Sequence, residues 1–265
     1  MLAQEGPLAV LTGAGVSTDS GIPDYRGEGA PPRAPMTFQQ FLASETSRKR
    51  YWAGSHRGWG TFMATTPNAG HRALASLEAS GRINGVVTQN VDGLHVRAGS
   101  TRVIDVHGSM SRVFCLVCGQ AFNRDSVEEQ LLRENPRLDE PGFVVLAPDG
   151  DADVSGIENF VVPTCSVCAG MLKPDVVFFG ELVPRKRFAA AQALLTESSG
   201  LLVLGSSLAV NTGVRLVEQS RRAAQPVIIV NRGATKGDAK ASIRVESGTT
   251  EFLLALADRA GVPIL

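Results

Sequence analysis

Several absences narrow the class of this 265-residue chain. Neither charge is in excess, because 26 Lys plus Arg balance 26 Asp plus Glu. That leaves no basic footprint for a nucleic acid, and no direct nucleic-acid partner is expected. No apolar run reaches the length that spans a bilayer, so no membrane partner is expected either. No charged-then-apolar leader precedes the glycine loop that starts at Gly13, and the expected compartment is the cytoplasm. Aromatic residues make up only 6% of the chain, and Arg outnumbers Lys 21 to 5, a composition expected of a GC-rich bacterial source. The length allows one sizeable core and a smaller satellite module.

Cysteine is scarce but patterned. The four residues are Cys115, Cys118, Cys165 and Cys168, two C-x-x-C pairs. Disulfides are disfavoured in a reducing compartment, and unrelated thiols rarely fall at this spacing. Two such knuckles supply four thiolates to one tetrahedral Zn2+, which makes a structural zinc the expectation.

The apolar run Leu8–Leu11 reads as a buried strand, and Gly13-Ala-Gly-Val-Ser-Thr-Asp-Ser-Gly-Ile-Pro-Asp-Tyr-Arg-Gly27 follows it. Strand, Gly-x-Gly and helix start is the usual cradle for a dinucleotide pyrophosphate. Thr18 stands where the full fingerprint has its third glycine. Thr37 reads as an N-cap with Gln40 as its capping-box partner, opening a helical module from Pro35 to about Ala53, either a packing element or a cofactor lid. Gly54–Thr65 reads as irregular, and Thr66-Pro67 as a helix start. His71, on that helix, reads as structural or solvated. Gly85–Thr88 is a strand with Gln89-Asn-Val-Asp92 at its carboxyl end, and Val103–Val106 is another, ending in His107-Gly-Ser109. If these strands are neighbours, Asn, Asp and His converge on one crevice.

From Arg112 to about Thr164 little core material is visible, so the metal is expected to stabilise an insertion there. The main fold then resumes with strands Asp175–Phe179, Leu201–Leu204, Pro226–Val230 and Ile243–Val245. Helices Phe188–Thr196, Val214–Ala224 and Thr249–Ala260 alternate with them. Nearly all-apolar strands alternating with helices imply an α/β fold, a doubly wound parallel sheet of Rossmann-like form, with an inserted zinc-binding module and a small helical module. The expected division is 1–34, 67–111 and 172–265 for the Rossmann-like parts, 35–66 for the helical module and 112–171 for the zinc insertion.

A dehydrogenase would need an acidic residue ending the second strand, where this chain has a Pro-rich loop and a helix. A serine hydrolase would need G-x-S-x-G, which Gly205-Ser-Ser207 does not supply. Zinc hydrolysis needs an open metal position, and four thiolates close it. His107, at a strand end facing the presumed crevice, is left as the best general base.

The chain resembles the sirtuin family of NAD-dependent protein deacylases over nearly its whole length. The resemblance is carried by Gly13–Arg26, T-Q-N-V-D-G-L-H at Thr88–His95, H-G-S at His107–Ser109 and the two cysteine pairs. F-F-G-E at Phe178–Glu181, G-S-S-L at Gly205–Leu208 and V-N-R-G at Val230–Gly233 complete the set. Arg50–Ala53, Leu146–Asp151, Pro163–Cys165 and Leu172–Phe179 resemble the class that includes the mitochondrial lipoamidase and ADP-ribosylating sirtuin. The desuccinylating class carries Tyr-x-x-Arg where Ser55 and Gly58 stand here, with His56 and Arg57 as the nearby substitutes, so strong desuccinylation is not expected.

The resemblance implies NAD as co-substrate, one structural zinc and acylated protein lysines as partners, with a monomer plausible. It assigns catalysis to His107, Asn90 and Asp92. Asn90 and Asp92 would hold the nicotinamide amide and the ribose, Gln89 would contact the ribose, and Tyr25 would shield the anomeric carbon. His107 would act as base for the ribose hydroxyls. Cofactor contacts are implied for Gly13, Ala14, Gly15, Ser17, Thr18, Asp24, Arg26, Val91, Gly205, Ser206, Ser207, Asn231, Arg232, Gly233 and Thr249. Val177, Phe179, Gly180 and Glu181, with Leu208, Ala209 and Val210, would flank an extended peptide. The rival readings are a protein mono-ADP-ribosyltransferase and a catalytically silent NAD- or zinc-binding module. The stretch Ala147–Asp151 is expected near the acyl channel.

Overall fold

A computed structural model of the chain describes residues 6–24, 35–136 and 157–264. Nine strands are present among them: β1 (Leu8–Thr12), β2 (Ile83–Thr88), β3 (Val103–Asp105), β4 (Gly108–Cys115), β5 (Ala121–Asn123), β6 (Leu172–Val176), β7 (Leu201–Leu204), β8 (Val227–Val230) and β9 (Ile243–Val245). The helices are α1 (Phe38–Ala43), α2 (Glu45–Ala64), α3 (Ala69–Ala79), α4 (Leu94–Arg97), α5 (Arg124–Glu134), α6 (Arg185–Thr196), α7 (Asn211–Arg222) and α8 (Thr249–Arg259). None of the described helices is long and apolar enough to cross a membrane. The chain forms two compact units. Met1–Ala30, Thr66–His107 and Val183–Leu265 make the first, and Pro31–Thr65 with Gly108–Leu182 the second.

The first unit is a six-stranded sheet in the order β3-β2-β1-β7-β8-β9, with every pairing parallel. Period-two alternation assigns its two faces. Ala9 and Leu11, Leu201 and Val203, and Val227 and Ile229 join one core cluster, with Phe188, Ala191, Leu194 and Leu195 of α6 and Leu216 and Val217 of α7. Val10, Leu202, Leu204, Ile228 and Val230 join the other, with Ala73, Leu74 and Leu77 of α3 and Leu253 and Ala257 of α8. Each of the buried Val, Leu, Ile and Phe side chains among them contributes about 1.5–3 kcal/mol. Both faces are covered, as the apolar strands required. The order runs outward in opposite directions from β1 and β7, so their carboxyl ends form the switch point where such sheets bind ligands.

The second unit holds an antiparallel sheet in the order β5-β4-β6 with helices α1, α2 and α5. Thr37 caps α1 with Gln40 in the expected reciprocal box. Four local expectations fail here. The segment read as irregular, Gly54–Thr65, continues α2 to Ala64, because Trp59 and Phe62 are buried and Gly54 and Gly58 lie on its packed side. The strand expected over Asp175–Phe179 is Leu172–Val176 and pairs with β4 in this sheet, not in the main one. Strand β4 was hidden in the sequence because its longer pairing, with β6, lies far along the chain and Ser111 and Arg112 interrupt its apolar pattern. Helix α5 was disguised by a stripe of only Val127 and Leu131, beside a fully buried Arg124. The units change over at 107/108 and 182/183. In the first unit, α3 starts after Asn68, whose side chain accepts from the His71 N–H, and Pro67 lies outside the helix.

Candidate functional site

In the first unit, four loops converge at the carboxyl ends of β1, β2, β3 and β7. After β1 the chain makes two single 3-10 turns, Ala14–Val16 and Thr18–Ser20, where an α-helix start was expected. Gly21 in a left-handed conformation ends them. With no helix there, the helix-dipole part of the phosphate argument falls away. The glycines serve backbone approach. Gly13 N–H donates to the Leu204 carbonyl at 3.0 Å and Gly15 N–H to that of Gly205 at 2.9 Å. A Cβ on Gly13 would meet Gly205 O at 2.7 Å, and one on Gly15 would meet Gly205 Cα at 2.9 Å.

The loop after β2 is bound to this turn. Asn90 Nδ2 donates to Gly13 O and to Ser17 Oγ, both at 3.1 Å, and Ser17 Oγ–H donates to Asp92 Oδ2 at 2.7 Å. Asp92 Oδ1 accepts the Leu94 N–H at 2.9 Å. Gln89 N–H donates to Thr12 O, and Gln89 Oε1 accepts from Ser206 Oγ at 2.7 Å, which brings in the loop after β7. Strands β2 and β3 are neighbours, as the convergence of Asn90, Asp92 and His107 required. His107 Nδ1 lies 3.1 Å from the Gln89 carbonyl. A carbonyl only accepts, so Nδ1 carries the proton and Nε2 keeps its lone pair. Burial lowers the His107 pKa from its ordinary value, against the raising effect of the Gln89 bond, so the ring is neutral and basic at neutral pH.

The other expected contacts fall on the same rim or just outside it. Thr249, at the start of α8, and Thr18 both donate to Gly15 O at 3.2 Å. Ala14, Val91 and Asp24 are half-buried and Ser207 lies in the β7 loop, its carbonyl accepting the Lys236 N–H. Asn231 Nδ2 donates to the Arg232 and Gly233 carbonyls, closing the turn after β8. Tyr25, Arg26 and the stretch Leu146–Asp151 lie outside the described residues. Leu208 has its side chain buried in the core and its N–H on Ser206 Oγ, whereas Ala209 is half-buried and Val210 exposed. Sequence reasoning assigned no role to Thr12 and Thr88, buried polar residues that close β1 and β2, or to His95, buried behind them.

In the second unit, Phe178 N–H and the buried Lys173 ammonium, at 2.9 and 3.0 Å, both reach Glu181 Oε2. The Glu181 side chain therefore holds its own turn. Phe179 O accepts the Phe38 N–H at 2.9 Å, Gly180 sits at φ +78, and Val177 is half-buried.

The four cysteines of this unit have their Sγ atoms within 4.8 Å of one another, with Cys115–Cys168 at 3.5 Å and Cys118–Cys165 at 3.7 Å. A zinc–sulfur length of about 2.3 Å gives a tetrahedral edge of about 3.8 Å, so the cluster fits the ion. The knuckles repeat one backbone. Cys115 N–H donates to Gln120 O and Gly119 N–H to Cys115 O, as Cys165 does to Gly170 and Ala169 to Cys165. The N–H of Cys118 first, then that of Val117 against burial, brings the Cys115 thiol down to about 6. Against the lowering by the Gly170 N–H, hydrogen bonds with Cys115 and Cys118 push Cys168 up to about 12. A divalent cation relieves that competition for protons.

With this geometry in place, similarity to known proteins decides the family. The Sir2 family model matches residues 13–212. The chain belongs to the Sir2 family. A Mycobacterium avium protein named NAD-dependent protein deacetylase 1 is 52% identical over 255 residues, covering 95% of this chain and 90% of its own length. A Drosophila melanogaster protein named NAD-dependent protein deacylase Sirt4 is 46% identical, covering 95% and 82%. The sirtuin resemblance and its NAD-dependent relatives are thus borne out, as is the parallel Rossmann-like sheet. A solved structure described as Sir2-p53 peptide-NAD+ superposes with a TM-score of 0.80 at 31% identity, covering 98% of this Sir2-family chain and 96% of the other.

Proposed function

We propose that this Sir2-family chain is an NAD-dependent protein-lysine deacylase, releasing nicotinamide and passing the acyl group to ADP-ribose. The observation that carries the reading is His107: a neutral imidazole whose Nδ1–H is fixed on Gln89 and whose Nε2 is free to take a proton. Two supports stand beside it, the relatives named NAD-dependent deacetylases and deacylases, and the solved structure holding peptide and NAD+. When bound, NAD supplies a glycosidic bond whose cleavage leaves positive charge on the ribose, open to an acyl oxygen.

The roles of the chain's own groups follow. Asn90 and Asp92, tied to Gly13 and Ser17, hold the nicotinamide amide and the ribose at the end of β2. A carboxylate at Asp92, held by Ser17 and the Leu94 N–H, would favour positive charge developing on a bound sugar. Gln89 contacts the ribose while its carbonyl orients His107, and His107 Nε2 takes the ribose hydroxyl proton. Gly13, Ala14, Gly15, Ser17, Thr18 and Asp24 line the phosphate side. Gly205, Ser206, Ser207, Asn231, Arg232, Gly233 and Thr249 take the adenosine half. Acylated protein lysines are the partners. Cys115, Cys118, Cys165 and Cys168 would fill all four positions of a zinc ion, which would hold its module and leave no open position for the reaction.

Incubation with NAD and a panel of acyl-lysine peptides, followed by mass spectrometry, tests this. Loss of the acyl group with formation of O-acyl-ADP-ribose supports deacylation. A gain of ADP-ribose on protein in its place supports mono-ADP-ribosylation. Binding of NAD with no nicotinamide released leaves only a silent binding module.

A further inference from the structure

Beneath the β1 and β2 loops lies a buried chain of polar groups that the proposed reaction does not use. Asn68 donates from Nδ2 to the Val16 carbonyl at 2.8 Å and from its backbone N–H to His71 Nδ1 at 3.4 Å. A backbone N–H only donates, so His71 Nδ1 accepts and Nε2 bears the proton. On α4, His95 Nε2 lies 2.9 Å from Thr12 Oγ1, whose own hydrogen goes on to Thr88 Oγ1 at 2.8 Å. With that hydrogen committed, Thr12 accepts from His95, which therefore also bears its proton on Nε2 and leaves Nδ1 a bare acceptor. Thr88 Oγ1 then accepts the backbone N–H of Asn90 at 3.0 Å.

The two rings stand 4.9 Å apart. Their remaining atoms, His71 Nε2 and His95 Nδ1, have no hydrogen-bond partner among the described residues. One is a donor and the other an acceptor, so the tautomers fixed independently at each end are complementary where the rings meet. The rings are 0% and 1% exposed. Burial, joined at His71 by the repulsion of His95, pushes their pKa values down to about 3 and about 4. Both rings are therefore neutral at neutral pH.

We propose that His95 is a positioning residue: its Nε2–H on Thr12 commits the Thr12 hydrogen to Thr88, which accepts the Asn90 N–H, and this relay helps fix Asn90 against Gly13 and Ser17. The direction matters at its last step. Without the His95 N–H the Thr12 hydroxyl is released to turn, and the Thr88 oxygen that takes the Asn90 N–H loses the donor that holds it in place. The relay rests on the deacylase reading only through the role of Asn90.

The test uses the full-length, zinc-loaded chain with His95→Leu, which removes the donor, and His95→Gln, which keeps an N–H near Nε2. Nicotinamide exchange, kcat and KM for an acetyl-lysine peptide, and hydrogen exchange of the Asn90 amide are measured. For His95→Leu the relay requires kcat and nicotinamide exchange about tenfold lower, peptide KM within about twofold, and Asn90 amide exchange about tenfold faster. His95→Gln restores all three to within about threefold of wild type. Wild-type behaviour of His95→Leu overturns the proposal. So does a His95→Gln variant as impaired as His95→Leu, since the ring would then matter only for its volume. Should His95→Leu not fold, Thr12→Val breaks the relay at its next member and is held to the same outcomes. A wild-type protein that releases no nicotinamide refutes the deacylase reading instead, and the relay is then decided by Asn90 amide exchange alone.

Discussion

Two glycines with left-handed backbones separate conformational demand from close approach. Gly21 has φ +88 and a Cβ there would meet nothing within 4 Å among the described residues. Gly205 has φ +58, and its Cβ would meet Gly15 C at 2.6 Å and Val16 N at 2.7 Å. Replacing either by Ala forces an L side chain into the left-handed region, at about 1–2 kcal/mol. Loss of freedom in the unfolded chain offsets about 0.4–1 kcal/mol of that. Gly21→Ala therefore costs on the order of 1 kcal/mol or less. Gly205→Ala carries the same term plus overpacking against backbone atoms that cannot rotate away, about 1–3 kcal/mol, for a total of about 2–4 kcal/mol. At about 2–4 °C per kcal/mol for a domain of this size, the melting temperature drops by roughly 4–16 °C for Gly205→Ala and by about 4 °C or less for Gly21→Ala. Scanning calorimetry with zinc saturating gives the comparison, and nicotinamide release should survive in Gly21→Ala but not in Gly205→Ala. Equal losses of stability in the two variants would refute the claim that the β1–β7 approach demands glycine.

Four further outcomes follow from the same geometry. His107→Ala should lower deacylation by about 10²–10⁴-fold with NAD binding largely kept; equal activity would remove His107 as base. Because the His107 pKa is lowered, the wild-type rate should rise with pH through a point below the ordinary histidine value and then level off, and a rate that falls over that range contradicts the assignment. His71 and His95 titrate at about 3 and about 4 when folded but near 6.5 when unfolded. Their contribution to stability is thus complete above pH 6.5 and is lost as pH falls through the interval below, by up to about 1.4 kcal/mol per pH unit for each ring. Urea unfolding at stepped pH should show that slope, and His95→Gln should lower it by roughly the share of one ring. Chelation of zinc should release one metal per chain, expose four titratable thiols and cost the second unit far-ultraviolet ellipticity; retained structure would show the module stands without the metal.

The first unit was legible because its strands are short, apolar and buried on both faces, so composition alone marks Leu8–Leu11, Leu201–Leu204 and Val227–Val230. The residues at their carboxyl ends could be read as a site for the same reason. Local chemistry also sufficed at Thr37 and Gln40, where a cap is complete within four residues. What escaped were features settled by distant partners. Strand β4 exists because Leu172–Val176 pairs with it, and α2 runs through its glycines because Trp52 and Trp59 enclose Arg124 of α5. The burial of His95 depends on a threonine 83 residues away, which no periodicity reports.

The duplicated cysteine knuckles have a consequence for how the chain tolerates change. Cys118 and Cys165 are 47 residues apart, so a metal holding both acts as a cross-link across a long excursion of chain. By the loop-closure relation used for disulfides, such a link is worth about 4 kcal/mol. The same relation is logarithmic, so doubling the excursion changes the closure cost by only about 0.6 kcal/mol. Inserted length between the knuckles is thus nearly free, while a change within either knuckle is not. The metal lets this stretch of the gene vary in length while its two anchor points stay fixed.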